Sequence, residues 1–417
     1  MATINLPHDT FKNMQRSIAG SFTNLVTIRR DLHQHPELSG EEAWTAAYLA
    51  DKLHDLGLTV RSGIHNHGLV ADLVVDLAKP TVALRVDMDA LPIQEENDVP
   101  YRSQVPGVMH ACGHDVHATI GIGVAEVLTQ LAPDLPGNVR FIFQPEEEEI
   151  TGALGMIEAG ALSDPTPDAI FGLHVAPLPA GQVAWTEDLF LSGFDHYLAA
   201  LFPDKNVELS MEDLDAIALC CCEEILKLNQ WRLPLIWETM QDMWRIMQTG
   251  PKELRSFIVY DASVDDEEDS PWRGQFGIGI TAAAPRLRRT ALKKVKAALR
   301  KICRATHTSA VVEHMGSMPD MRNNPYLVRS VLPALQAAIG AENTIQLNAA
   351  FPFNCEDFAY YTKYIPGAMF WLGGADPGSR KYAMLHTPDF DVDERCLITG
   401  TASMASLLIE YLTRHSR

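Results

Sequence analysis

The sequence predicts an α/β fold interrupted by an inserted domain, and three observations carry that prediction. From the N-terminus to Leu191, short and nearly continuous apolar runs alternate with helical patterns, as buried strands alternate with the helices that cover a sheet. From Ser192 to Thr306 the character changes: a cysteine trio (Cys220, Cys221, Cys222), the tryptophans Trp231, Trp237, Trp244 and Trp272, the acidic run "DDEED" and a long basic stretch appear. After Thr306 the α/β pattern resumes. A chain of 417 residues has room for two or three domains. The boundaries read here are 1–191, 192–306 and 307–417, with the first and third segments forming one domain.

Each element has its own signal. "EEAWTAAYLADKLHDLG" spaces apolar residues three and four apart and stops at a glycine, which predicts a helix. "TVALRVD", "NVRFIFQP" and "AIFGLHV" are β-rich apolar runs that finish in polar or ionisable residues. Ligands of α/β sheets bind beyond strand C-termini, so those endings matter. In the insert, "RLRRTALKKVKAALRKICR" reads as a surface helix with a basic face and "DDEED" as a solvated loop. "NPYLVRSVLPALQAAIG" is a helix, "GAMFWLGG" a strand and "DERCLITGTASMASLLIEYL" a closing helix.

Composition excludes several functions. Asp and Glu outnumber Lys and Arg by 54 to 34, for a net charge of -20, which argues against nucleic acid and anionic membranes as partners. No apolar run predicts a membrane span, and the N-terminus has no apolar core of a secretory signal. Seven cysteines, three of them consecutive, make a poor disulfide framework, so a reducing, cytoplasmic setting is expected. The trio is either a metal or redox clip or a set of small buried residues on a helix, where free cysteine commonly sits.

The chemistry concentrates in four places. "VMHACGHDVHATIGIG" sets Cys112 one residue from His114, so on an irregular turn both can reach one ion. "QPEEEE", Gln144 to Glu149, puts four adjacent carboxylates after an apolar strand, where they need cations nearby or must hold protons. "GLHVAP" places His174 at the end of a third strand, and "MLHTPDF" places His386 before a Thr-Pro turn. Taken singly, each has a structural reading. Together they supply a thiolate, imidazoles and carboxylates suited to one or two divalent ions. A carboxylate beside such a site can take a proton from metal-activated water, so the residues point to a metal-assisted hydrolase acting on a small-molecule substrate.

On these segments, with "RRDLHQHPELSGEE", "LRVDMDALPIQEE", "GMIEAGAL", "NCEDFAYY" and "LHTPDFDVDE" in the same order, the chain resembles the metal-dependent amidohydrolase and peptidase family of aminoacylases, hippurate hydrolase and indole-acetyl-amino-acid hydrolases. The resemblance implies a zinc-peptidase-like α/β catalytic domain with an inserted α+β lid, and a homodimer or higher homo-oligomer formed through the lid. It implies that Cys112, His114, Glu148, His174 and His386 bind metal and that Glu147 is the base. Cysteine favours zinc; manganese, cobalt and nickel also suit the nitrogen and oxygen ligands. Asp87, Asp89 and Asp115 are expected to orient ligands, or simply to end a strand, while His110 and His117 are read as structural. Glu356 and Asp357 open a segment that the family pattern puts close to the site.

The insert departs from that family. Its usual histidine, asparagine and arginine, which hold the substrate carboxylate and the developing oxyanion, have no counterparts after "LSGFDHYLAALF". His196, Arg232, Arg245 and Arg273 are the candidate replacements. Three readings stay open: an amidase on an N-acyl amino acid or similar amide, a hydrolytic deaminase of an aromatic amine such as an electron-poor aminobenzoate, and an inactive metal-binding scaffold.

Overall fold

The computed structural model describes residues 8–229, 240–264, 274–350, 355–376 and 384–416. The chain divides into two compact units, Met1–Asp188 with Arg322–Leu347 and Asp357–Arg417, and Leu189–Met321 with Asn348–Glu356. In chain order the first unit contributes α1 (His8–Gln34), α2 (Ala43–Asp55), β1 (Thr59–Ile64), β2 (Gly68–Leu73), β3 (Thr81–Asp87), α3 (His114–Gln130), β4 (Asn138–Gln144), α4 (Gly152–Glu158), β5 (Ala169–Pro179) and β6 (Val183–Trp185). Next come β7 (Leu189–Leu191), β8 (Phe194–Pro203), α5 (Met211–Leu226), α6 (Met240–Thr249), β9 (Ile258–Ser263), β10 (Gln275–Ala282), α7 (Pro285–Thr306), β11 (Thr308–Ser317) and β12 (Met321–Arg322). The chain closes with α8 (Pro325–Ile339), β13 (Thr344–Gln346), β14 (Gly367–Ala375) and α9 (Cys396–His415).

The first unit is built on an eight-stranded mixed sheet in the order β1-β2-β4-β3-β5-β14-β6-β13. Its centre is parallel: β3 pairs with β4 and β5, and β14 with β5. All seven residues of β3 and of β4 are buried, which is why those segments read as continuous apolar runs rather than alternating ones. Helix α3 is buried at every position from His114 to Ala125 and packs on β3 together with α9. Helix α9 is long and apolar enough to cross a membrane by length and composition, but 89% of its apolar window is buried inside the protein, as in a core helix. Helix α2 turns Thr45, Ala46, Leu49, Ala50 and Leu53 inward. The Glu37 carboxylate accepts its first free amides, from Trp44 (3.0 Å) and Thr45 (2.8 Å).

The second unit is a separate α+β body. Its antiparallel sheet runs β11-β8-β10-β9. Tyr197, Ala199, Leu201, Tyr260, Ala262, Phe276, Ile278 and Ile280 alternate inward to meet the buried side of α5 and α7. Helix α7 buries Ala291, Val295, Leu299 and Cys303 at intervals of four and turns Lys293, Lys294, Lys296, Arg300 and Lys301 to solvent, the basic surface face that its spacing predicts. Cys221 and Cys222 lie in this core while Cys220 is exposed, and all three are free thiols on α5, so the trio is helix packing rather than a clip. One expectation moves. The unit runs on to Met321 rather than ending at Thr306, because β11 pairs along its whole length with β8. "DDEED", Trp231, Trp237 and Trp272 lie outside the described residues, and Trp244 is 5% exposed on α6.

Arg140 shows how the central sheet tolerates buried charge. Fully buried on β4, it makes a two-pronged pair with Asp72 of β2 (2.7 and 3.0 Å) and donates to the carbonyls of Ala161, Ser163, Asp164 and Pro165. Arg140→Met leaves Asp72 and four carbonyls without their donor. It is expected to lower the unfolding free energy by about 3 kcal/mol, read from a urea transition; a loss below about 1 kcal/mol would contradict this account.

Candidate metal centre

Three adjacent parallel strands deliver the site. Strand β3 ends at Asp87 and leads to Asp89, β4 ends at Gln144 and leads to Glu147 and Glu148, and β5 carries His174. His174 is not at the end of its strand, as expected, but mid-way along β5, which runs on to Pro179 beside β14. Pairing with β3 stops at Arg85 and Gly172, two residues earlier, so His174 stands where its neighbouring strand has run out. Cys112 and His114 come from the start of α3. Between them Gly113 takes a left-handed φ of +81°, and a Cβ there would stand 2.4 Å from Val175 Cγ1, so both the turn and the close approach require glycine. His386 arrives from the loop after β14, tied by its amide to the Ala111 carbonyl (2.9 Å).

The ligand atoms converge. Cys112 Sγ is 3.5 Å from His174 Nε2 and 3.2 Å from His386 Nε2. Glu148 Oε1 lies 3.4 Å from His386 Nε2 and 3.8 Å from His114 Nε2, and Glu147 Oε2 is 4.0 Å from His114 Nε2. Two triads, Cys112–His114–His174 and Cys112–Glu148–His386, each place three ligand atoms within 4.8 Å of one another and share the sulfur.

Hydrogen bonds behind the ligands set which ring nitrogen faces inward. His114 Nδ1 donates to Asp89 Oδ1 (3.0 Å) and His174 Nδ1 donates to the Val175 carbonyl (2.7 Å), leaving both Nε2 lone pairs for the cluster. Asp89 also accepts from Glu148 N (3.0 Å) and Ser39 Oγ (2.7 Å), so one carboxylate aligns two would-be ligands. Asp87 lies within 3.8 Å of His114 Nε2, but it binds His117 Nδ1 (2.6 Å) and Arg85 (2.5 Å). His117 Nε2 in turn accepts from Val175 N (2.8 Å), holding the backbone next to His174.

The residues fit a divalent cation. His114 Nε2 and Glu148 Oε1 are buried and make no hydrogen bond, an arrangement costly for polar atoms with no other partner. Burial pushes the Cys112 thiol well up, and Glu148 and Glu147 push it further. Burial acts to lower His114 too, yet Asp87, Asp89 and Glu148 outweigh it and hold its pKa up at about 10. Burial keeps His174 neutral, well below the ordinary imidazole range. A pocket that holds a thiol and an imidazole protonated by its own negative charge is one where a cation can replace the protons.

A sequence profile of peptidase family M20/M25/M40 matches residues 83–410. The chain belongs to that family. Membership makes it a hydrolase of carbon–nitrogen bonds, the bond class that a peptidase cleaves. An N-acetyldiaminopimelate deacetylase of Streptococcus pneumoniae is 31% identical over 391 residues, 92% of this chain and 98% of the relative. An IAA-amino acid hydrolase of Arabidopsis thaliana is 30% identical over 394 residues, 94% of this chain and 87% of the relative. A solved structure from Bacillus subtilis, described as a dinuclear metal binding peptidase of the M20 family, is 27% identical with a TM-score of 0.73, over 95% of this chain and 99% of that one.

The remaining expected residues of this M20 chain fall in different places. Asp115 does not touch the ligands; it pairs with Arg29 (2.8 Å) and His33 (2.7 Å) and so anchors the start of α3 to α1. His110 is buried, and neither of its ring nitrogens makes a hydrogen bond. His196 is exposed on β8 of the second unit, and Arg245 is exposed and paired with Asp242 (2.5 Å). Arg232 and Arg273 lie outside the described residues. Sequence reasoning missed Arg85, which is 1% exposed and links Gln144 (2.8 Å), Asp87 and Asp357 (2.7 Å). A lone arginine inside the apolar run "TVALRVD" was its only signal. Asp357 also accepts from Gln144 Nε2 (2.7 Å) and from Ala153 N at the start of α4 (2.8 Å).

Because Asp89 orients both His114 and Glu148, Asp89→Asn is expected to weaken zinc or manganese binding about 10- to 100-fold. Titration calorimetry on the metal-free protein checks this, and unchanged affinity would remove Asp89 from the site's support.

Proposed function

We propose that this M20 chain is a metal-dependent amidohydrolase that hydrolyses an N-acyl amino acid or a similar small amide. Cys112, His114, His174, Glu148 and His386 hold one or two divalent ions, and Glu147 is the general base. The observation that carries the reading is the position of Glu147: its carboxylate is largely buried, 4.0 Å from the unpartnered His114 Nε2 and next in sequence to Glu148. A bound divalent ion supplies Lewis-acid polarisation of the scissile carbonyl and makes water a better nucleophile near neutral pH. Glu147 takes the proton from the attacking water and returns it to the leaving nitrogen. The Asp357 amide, which donates to Glu147 Oε1 at 3.5 Å, helps to set that carboxylate.

The shared sulfur of Cys112 favours zinc, while the imidazole and carboxylate donors equally suit manganese, and cobalt and nickel remain acceptable. Support for the amide class comes from the deacetylase and the amino-acid-conjugate hydrolase among the relatives. The second unit is proposed as the lid through which copies of the chain form a homo-oligomer. It supplies the substrate-binding groups, with His196 and Arg232 as candidates in place of the family's missing residues. The proposed setting is the cytoplasm. An aromatic-amine deaminase draws no support from Trp244, which is buried and offers no open face for stacking.

Glu147→Gln is expected to reduce kcat by about 10²- to 10⁴-fold while the bound metal per chain stays unchanged; retained turnover would remove Glu147 as base. Product analysis separates the chemistries. Metal-loaded protein given N-acyl amino acids should release the free amine and carboxylate, whereas ammonia from aminobenzoates, with no amide cleavage, would replace this reading with deamination.

A further inference from the structure

We infer that Glu146 is a positioning residue, a latch that holds the loop carrying Glu147 and Glu148 in its working shape. The inference rests on the proposed roles of those two residues and goes beyond them, because neither the motif nor the metal chemistry calls for an acid at this place.

Five neighbours hold Glu146. Its amide donates to Glu42 Oε1 (2.9 Å), from the residue just before α2. Its carboxylate accepts from Asn66 Nδ2 (2.6 Å) and Thr151 Oγ1 (2.7 Å) and lies 3.2 Å from His65 Nε2. Its carbonyl accepts from the amides of Thr151 (3.3 Å) and Gly152 (3.0 Å), which folds the loop back on itself. Glu146 is 9% exposed and Glu42 is fully buried.

The loop needs such a hold. Glu146 has a left-handed φ of +56°, and Ile150, at the far side of the two functional glutamates, has one of +61°. Side chains with a Cβ avoid this region, and a β-branched residue such as isoleucine avoids it most. The segment from 146 to 150 is therefore strained at both ends, and local hydrogen bonds must oppose its relaxation. On the metal side Asp89 holds Glu148 N; on the other side the grip is the Glu146 carboxylate, bound to the β1–β2 turn by Asn66 and His65. The sharp turn after β4 then directs Glu147 and Glu148 towards His114.

The test uses Glu146→Ala, Glu146→Gln, Asn66→Gly and the double variant Glu146→Ala/Asn66→Gly in the full chain. Glycine at 66 keeps the turn, since Asn66 has a φ of +57°, and removes only the amide. In metal-free protein, amide hydrogen exchange of the segment 144–152 should speed up about tenfold or more in Glu146→Ala, with the core strands unchanged. Manganese affinity should fall about 10- to 100-fold, with kcat reduced by a similar factor and KM within about twofold. Glu146→Gln, which keeps an acceptor oxygen, should recover much of the loss. Asn66→Gly should lower affinity less than Glu146→Ala, and the double variant should fall short of the product of the two effects because both break one contact. Unchanged exchange and metal affinity in Glu146→Ala, or fully multiplicative losses in the double variant, would overturn the latch. Exchange and metal affinity do not depend on turnover, so the latch can stand if Glu147 proves not to be the base and can fall if it is.

Discussion

Negative charge gathered in a buried place is the constraint around which the first unit is arranged. Asp87, Asp89, Glu147 and Asp357 and the thiol of Cys112 are all at most 8% exposed, beyond the ends of three neighbouring strands. Without partners, that many acidic groups could not share a low-dielectric space. The structure answers with two kinds of cation. Arg85 neutralises Asp87 and Asp357 within the protein. Around Cys112, His114 and Glu148 the geometry gathers ligand atoms at a shared point, where a divalent ion would supply the balancing charge.

Such a point is only as good as the groups that orient it. Imidazoles have two nitrogens, and His114, His174 and His117 each have one of them committed elsewhere: to Asp89, to the Val175 carbonyl and to Asp87. Asp89 contacts both the start of α3 and the loop after β4, and Glu146 ties the far side of that loop to the β1–β2 turn. Further out, Arg29 and His33 on α1 fix Asp115 and with it the helix that begins at His114. Helix α1 thus acts on the chemistry without lying in the site.

The second unit tells a different story. Its core is an ordinary half-covered sheet, with apolar residues alternating inward and α5 and α7 packed on one face. Its buried charge includes Arg288 at the start of α7, which pairs with Asp195 and Asp320 and donates to the Gly193 carbonyl. In the first unit the buried polar groups are linked more densely: Asp89 alone contacts Ser39, His114 and the Glu148 amide.

The sequence by itself determined the architecture and singled out the candidate ligands. Buried parallel strands must be apolar along their length, so "TVALRVD" and "NVRFIFQ" announced themselves, and the ionisable groups that follow them marked the site. The spacing Cys112-x-His114 and the carboxylate pair Glu147–Glu148 were legible because they are local. Only the tertiary structure decided which distant groups support them. Arg29 reaches Asp115 across 86 positions and Asn66 reaches Glu146 across 80, and no local pattern encodes such contacts. The extent of β11, the placing of His174 within its strand and the left-handed turns at Glu146 and Ile150 were likewise settled by pairing and packing. Short-range preference predicts what a segment is; which segments meet depends on the sum of contacts across the whole fold.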